Sequence, residues 1–326
     1  MKSVFEVHLA VSGVDVSILY LIGLGLGVGL LSGLLGVGGG WLITPALNIL
    51  GIPMTYAVGT GLAQMMGTSF TGLMKHRKHG NTDLTLGMII GFPMIIGVQL
   101  GKYILLYLEQ LGNAGLVTRA MYFVLLMYMA ISIFRRLYFQ KETAEEKAIR
   151  KTNIFLRPFF AGPKLKLKHE DLETYWLFLV SIGIVAGVFS GIMGVGGGFL
   201  LMPVMAYVIG VPPLIAIATS LVCVFIASVS GTITFALSER VDWMAAGLVF
   251  SGSFVGTLVG VATTKYIDAQ KLQVLFAVLI VIAAVSIALK QMGLDLAASV
   301  AIFGSTALLC IISLTYLIRG MIDSTK

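Results

Sequence analysis

The pentapeptide Gly36-Val37-Gly38-Gly39-Gly40 interrupts an apolar stretch that runs from about Val16 to Leu50, and it returns as Gly194-Val195-Gly196-Gly197-Gly198 inside a second apolar stretch. Each glycine costs a helix interior about 0.8–1 kcal/mol relative to alanine, so a helix is expected to break or loosen at both copies. Inside a bilayer such a break leaves backbone N–H and C=O groups that lipid cannot pair. It is tolerated only where the segment is buried in protein or lines a watery cavity. Paired interruptions of this kind in two related halves point to the binding site of a transporter.

A bilayer is the setting because 58% of the 326 residues are hydrophobic and only 11% are charged, with a mean hydropathy of +0.98. That leaves too few polar residues to cover a soluble globule. The apolar runs reach the ~20 residues that cross ~30 Å of hydrocarbon as helix, which favours helices over a barrel of short alternating strands. Met1–Asp15 lacks the order of a cleaved signal, so the first helix is expected to be retained. The net charge of +7 is explained by loop topology rather than by nucleic acid. Cys223 and Cys310 lie in apolar segments without metal or redox spacing and read as small buried side chains.

Spans are expected at Val16–Leu50 (broken), Tyr56–Met74, Leu84–Leu108 and Leu116–Ile133, then at Trp176–Ile209 (broken), Leu214–Leu237, Trp243–Ile267 and Leu272–Leu289. A ninth, Leu296–Ile318, has no counterpart in the first half. Trp41–Leu50 is too short to cross alone and is either the second half of a broken helix or a re-entrant half-helix. The expected units are 1–134, a basic linker over 135–174 with ten Lys/Arg, a second four-span unit over 175–290, and an extra helix and tail over 291–326. Placing the N-terminus inside puts Lys2, the cluster Lys75-His76-Arg77-Lys78, the linker, Arg240 and Lys290 in the cytoplasm, sixteen Lys/Arg against six outside.

The two halves align without a gap from Ser32-Gly33 onto Ser190-Gly191 through Pro45 onto Pro203. One inserted residue then brings Gly51-x-Pro53 onto Gly210-x-Pro212, Thr60 onto Thr219, Ser69 onto Ser228, Asp83 onto Asp242 and Gly101 onto Gly260. A register sustained this far reads as internal duplication. Four spans per unit imply two units of the same orientation, unless the broken segments change the parity.

Paired Ser-Gly-x-x-Gly-Val-Gly-Gly-Gly motifs, each followed by Pro and a Gly-x-Pro turn, in a four-plus-four arrangement with a hydrophilic linker, resemble the sulfite exporter TauE/SafE family over about residues 17–290. The resemblance implies a secondary transporter, an exporter of small anions such as sulfite or organosulfonates, in a cell membrane. An anion-selective channel and a transporter of a non-sulfur organic anion are the alternatives.

No Asp, Glu, Lys, Arg or His lies well inside an expected span, so an anion has to be held by neutral donors. Backbone N–H groups at the start of a half-helix supply them, and glycine lets the backbone approach closely. The candidate substrate-binding residues are therefore Gly38, Gly39, Gly40, Gly196, Gly197 and Gly198, with side-chain donors Asn48, Thr60, Gln64, Thr219 and Ser220. Gly25, Gly29 and Gly33, like Gly183, Gly187 and Gly191, have the four-residue spacing of close helix packing. Asp83 and Asp242 share one repeat position at a span's start and read as helix N-caps or as gating or proton-coupling groups. His76 and His79 sit in a basic loop and read as a solvated face; no cofactor, metal site or catalytic constellation is expected.

Overall fold

The computed structural model describes residues 6–9, 11–35, 38–78, 82–139, 164–166, 173–263 and 269–324. His79 and most of the linker lie outside them. An antiparallel hairpin of β1 (Glu6–Leu9) and β2 (Val14–Ser17) leads into α1 (Ile18–Leu35), followed by α2 (Gly40–Ile49), α3 (Met54–Lys78), α4 (Leu84–Gln110) and α5 (Ala114–Phe139). After a second small hairpin, β3 (Lys164–Lys166) with β4 (Glu173–Tyr175), come α6 (Trp176–Met193), α7 (Gly198–Val204), α8 (Pro213–Ala236), α9 (Trp243–Thr263), α10 (Ala269–Gln291) and α11 (Asp295–Ser324). Leu84–Gln110, Ala114–Arg135, Trp176–Met193, Leu214–Ala236 and Trp243–Thr263 are long and apolar enough to cross a bilayer. Their outward faces carry exposed Phe92, Ile96, Val124 and Tyr128, side chains that water would not favour and lipid would. The chain is an all-α polytopic membrane protein. Helix α3 is absent from that set because Thr55, Thr60, Gln64, Thr68 and Ser69 dilute its apolar surface, and all five are buried.

Two ends of the bundle are fixed by polar contacts. At the hairpin end, Ser12 meets Asp242, Arg240 pairs with Glu109, Arg119 bonds Asn48 and Gln291, and Lys290 bonds Ile49 and Asp295. At the opposite, basic end, α3 finishes in Lys75, Arg77 and Lys78, Lys75 reaches Leu258 O near the end of α9, and Asp83 meets Thr219. Helix α1 leaves the hairpin end and α2 returns to it, placing Gly51 beside Val14. Helix α6 leaves the basic end and α7 returns to it, where Tyr175, Phe178, Ile209 and Val211 share one cluster with Leu86 at the start of α4. Each glycine-broken segment is thus re-entrant and makes no net crossing. Three helices traverse the bundle in each half, α3–α5 and α8–α10, and the halves run in opposite directions. This overturns the expected common orientation, which counted each broken segment as one crossing. Arg240 and Lys290 consequently stand at the end opposite Lys75–Lys78, not beside it as expected.

The helices of one half pack on those of the other. α1 lies parallel against α9, α6 parallel against α4, and α3 against α8. Gly25, Gly29 and Gly33 face the carbonyls of Val249, Ser253 and Thr257, while Gly252, Gly256 and Gly260 face those of Ile22, Leu26 and Leu30. The α4–α6 seam repeats the arrangement, with Gly183, Gly187 and Gly191 against Ile90, Met94 and Val98. The small-xxx-small faces are backbone-to-backbone contacts, where dispersion and Cα–H···O contacts hold helices that lipid gives no hydrophobic reason to associate. The one-residue insertion after Pro203 appears as the π-helical turn Met205–Ile209 that continues α7, since a π turn closes one residue later than an α turn. α11 packs on α1, α2, α9 and α10.

A methyl group on Gly29 would overlap Ser253 O, whereas one on Gly23 meets nothing within 4 Å. Gly29→Ala is expected to destabilise the protein by about 1–3 kcal/mol, and Gly23→Ala to leave it unchanged or slightly more stable. Thermal unfolding of the purified protein in detergent compares the two.

Candidate binding site

The two glycine loops share their backbone conformation at the glycines that precede the returning helices. Gly38 and Gly39 adopt φ of 75° and 80°, and Gly196 and Gly197 adopt 69° and 75°, a left-handed conformation that side chains disfavour. Gly39 and Gly197 then cap the returning helices: Leu42 and Ile43 donate to Gly39 O at 3.1 and 3.3 Å, and Leu200 and Leu201 to Gly197 O at 3.1 and 3.0 Å. Hung from opposite ends, the loops meet in the middle of the bundle. A Cβ on Gly40 would overlap the carbonyl of Gly194, and Trp41 stacks on Phe199 with ring centroids 5.8 Å apart. Met65 and Val224, which occupy the same register position in the two halves, fill the meeting point. A Cβ on Gly38 would lie 2.6 Å from Val224 Cγ1, and one on Gly196 would collide with Met65 Cε. The loops, both aromatic rings, Met65 and Val224 are all buried.

Of the residues the sequence nominates, the structure brings together Gly38, Gly39, Gly40, Gly196, Gly197, Gly198 and Gln64. Thr68 Oγ1 lies 3.5 Å from Gly38 O and 3.5 Å from Gln64 Nε2, which joins Gln64 to the first loop. The others lie elsewhere. Asn48 is at the far end of α2, ~12 Å along the helix from Gly40; there it donates to Ile52 O at 3.0 Å and accepts from Arg119. Thr60 Oγ1 accepts the N–H of Asp242 at 2.9 Å, and Thr219 Oγ1 that of Asp83 at 3.1 Å. The carboxylates of Asp83 and Asp242 in turn accept from Leu86 N and Ala245 N at 3.0 and 3.1 Å, so both cap helices as the N-cap reading expects. Ser220 donates back to Ile217 O within its own helix. His76 is buried, with 2% of its surface exposed, and not on the solvated face expected of it.

Sequence reasoning passed over Ser253 and Thr257. They lie one turn apart on α9, against α3: Gln64 Nε2 donates to Ser253 Oγ at 2.6 Å, and Thr257 Cγ2 would lie 3.8 Å from a Cβ on Gly72. The signal was present as two hydroxyls at four-residue spacing amid Gly252, Gly256 and Gly260, and it was masked by the packing role of those glycines. Among the described residues no group of three His, Cys, Asp or Glu side chains could hold a metal ion.

A multi-helix bundle with two re-entrant loops meeting at its buried centre is that of a polytopic membrane protein, and comparison with known sequences gives the family, one of membrane transporters. Residues 21–287 match the family described as Sulfite exporter TauE/SafE, and the chain belongs to it. It is 24% identical over 279 residues to Probable membrane transporter protein YunE of Bacillus subtilis, covering 82% of this chain and 95% of that protein. It is 28% identical to Probable membrane transporter protein YjnA of the same organism, covering 79% and 95%, and 26% identical to a Probable membrane transporter protein of Xylella fastidiosa, covering 78% and 88%. No solved structure matches the chain significantly.

Thr60→Val and Thr219→Val each remove the hydroxyl that accepts a buried backbone N–H. Each is expected to cost about 1–3 kcal/mol of stability. Thr71→Val, whose hydroxyl bonds Gly67 O of its own helix, should be near neutral in the same detergent unfolding assay.

Proposed function

We propose that the protein is a secondary transporter that moves small sulfur-containing anions, sulfite or organosulfonates, across the cell membrane by alternating access, in the direction of export. The observation that carries this reading is the meeting of two re-entrant glycine loops, one from each end of the bundle, at a buried point sealed by Met65 and Val224. Such backbone is costly at membrane depth and is kept where a substrate binds. The starts of α2 and α7 turn their N-terminal dipole ends toward this point, favouring a negative charge without a fixed cation. Met65 and Val224 block passage between the loops, so substrate reaches the site from one end at a time.

The same reading makes the two halves homologous units of inverted orientation. Sequence register supports it, as do the reciprocal pairing of α1 with α9 and α6 with α4, and the exchanged Thr–Asp bonds. The end bearing Lys75, Arg77 and Lys78, from which the linker departs and to which it returns, is then cytoplasmic by its positive charge, and the β1–β2 hairpin is outside.

Counterflow into proteoliposomes tests the function. Vesicles preloaded with unlabelled sulfite are expected to accumulate labelled sulfite transiently and saturably, and Gly39→Ala or Gly197→Ala should reduce the rate at least tenfold in folded protein. Flux that neither saturates nor shows counterflow would identify an anion channel.

A further inference from the structure

Of five matched positions around the two glycine loops, all but the serine pair differ sharply in chemistry. Beside the first loop stand Ser32, Gln64, Thr68, Ser253 and Thr257; the register partners beside the second are Ser190, Cys223, Ala227, Met94 and Val98. All five on the first side are buried, with 2% or less of their surface exposed. They occupy the junction of α1, α3 and α9. Gly29 and Gly33, on either side of Ser32, touch the backbones of Ser253 and Thr257, and Ser32 Cβ would lie 3.7 Å from a Cβ on Gly39 of the loop.

Three polar atoms there have no partner among the described residues, Ser32 Oγ, Thr257 Oγ1 and Gln64 Oε1; Ser190 Oγ beside the second loop is likewise unpartnered, but its register neighbours Cys223, Met94 and Val98 bring no amide or hydroxyl to it. The orientation of the Gln64 amide follows from its neighbours. Ser253 Oγ donates to Phe250 O at 3.1 Å, so it accepts from Gln64 Nε2; Thr68 Oγ1 faces the carbonyls of Met65 and Gly38, at 3.3 and 3.5 Å, and so accepts as well. Both amide hydrogens are committed, and the free Gln64 Oε1 can only accept. A buried unpaired acceptor carries an uncompensated desolvation penalty, as does each idle hydroxyl.

Resting on the transporter reading above, we infer that this one-sided cluster is the substrate subsite and that it takes the singly protonated form of a small oxyanion. Ser32 and Thr257 donate to the charged oxygens, and the ligand's own proton is donated to Gln64 Oε1. A fully deprotonated oxyanion would place lone pairs against Oε1 and be repelled. The transported anion then carries its proton with it. On the packed elements, α1, α2, α8 and α9 contain no Asp, Glu, Lys, Arg or His; the titratable groups that approach are on α3, where buried His76 lies about two turns beyond Thr68 and Lys75 bonds Leu258 O beside Thr257, and on α11, whose Asp295 pairs with Lys290 at the hairpin end.

Ligand-induced thermal stabilisation in detergent tests this, because a ligand of the folded state raises its stability by mass action. The probes are hydrogensulfite, hydrogencarbonate and methanesulfonate, the last a monoanion without an O–H, at constant ionic strength over a pH series. Hydrogensulfite is expected to stabilise at least tenfold more effectively than methanesulfonate and to lose effect as rising pH converts it to the dianion. Ser32→Ala and Thr257→Val should each weaken it at least tenfold, Ser190→Ala should not, and Gln64→Met should erase the gap between the two sulfur probes. Equal binding of methanesulfonate in the unmutated protein, a comparison that needs no variant, overturns the protonated-ligand subsite while leaving a sulfur transporter standing. Stabilisation by hydrogencarbonate alone keeps the subsite and overturns the sulfur substrate. No stabilisation by any probe, or equal damage from Ser190→Ala and Ser32→Ala, overturns the subsite.

Discussion

Everything in this fold depends on two seams where helix backbones touch. Along α1–α9 and α4–α6, glycines at four-residue intervals bring carbonyl oxygens against bare Cα atoms on both helices. In water such seams would be minor beside side-chain burial, but in lipid, where an exposed leucine loses nothing, close packing is what associates helices. The seams also hold the loops in place. Gly33 and Gly191 end the glycine series of α1 and α6 within a turn of where those helices stop, so each loop is presented from a helix already locked against the opposite half.

Polar groups inside the bundle follow the same logic of one half completing the other. Thr60 and Thr219 each pair a backbone N–H at the head of a helix from the other half, and the adjoining aspartates pair the next turn. Donors that begin a helix would otherwise face an apolar neighbour, and each unpaired one costs about 1–3 kcal/mol. The matched pair of bonds gives Thr and Asp a structural reason to occur at the same register positions in both halves. Asn48 plays a comparable structural role, closing the turn after α2 and anchoring Arg119, which also reaches Gln291 on α10.

Much of this was legible in the sequence. The glycine spacing of α1 and α6 marked faces that pack closely, and the broken pentapeptides located the loops; the inserted residue after Pro203 was visible, though not the π turn at Met205–Ile209 that absorbs it. Orientation was not legible, because a ten-residue apolar piece after a glycine break has the same composition whether it continues onward or turns back. Its direction is set by tertiary contacts such as Gly51 against Val14 and Lys290 against Ile49 O. The proposed subsite was half legible. Gln64 stood out as an amide in an apolar helix, whereas Ser253 and Thr257 come from a helix about 190 residues away in sequence, and nothing local marks a hydroxyl that will face it.

The interleaving of the halves constrains how the loops can move. Since α1 is locked to α9 and α6 to α4, a displacement of the first loop relative to the second cannot be a movement of residues 18–139 against residues 176–291. The bodies that slide must each be drawn from both halves: α1 and α2 with α9, α10 and α11 on one side, and α4 with α6 and α7 on the other. Helix α3 packs mainly on α9 and α2 of the first, helix α8 on α4 and α7 of the second, and α3 and α8 meet each other. Their mutual contact carries Met65 and Val224, so the side chains that seal the centre sit on the surface along which such bodies would shift. The polar cluster of Ser32, Gln64, Ser253 and Thr257 belongs to the first body and to the α3 face beside it. A ligand held there would therefore remain with one body through a movement, while the apolar wall of Met94, Val98 and Cys223 on the other slid past it.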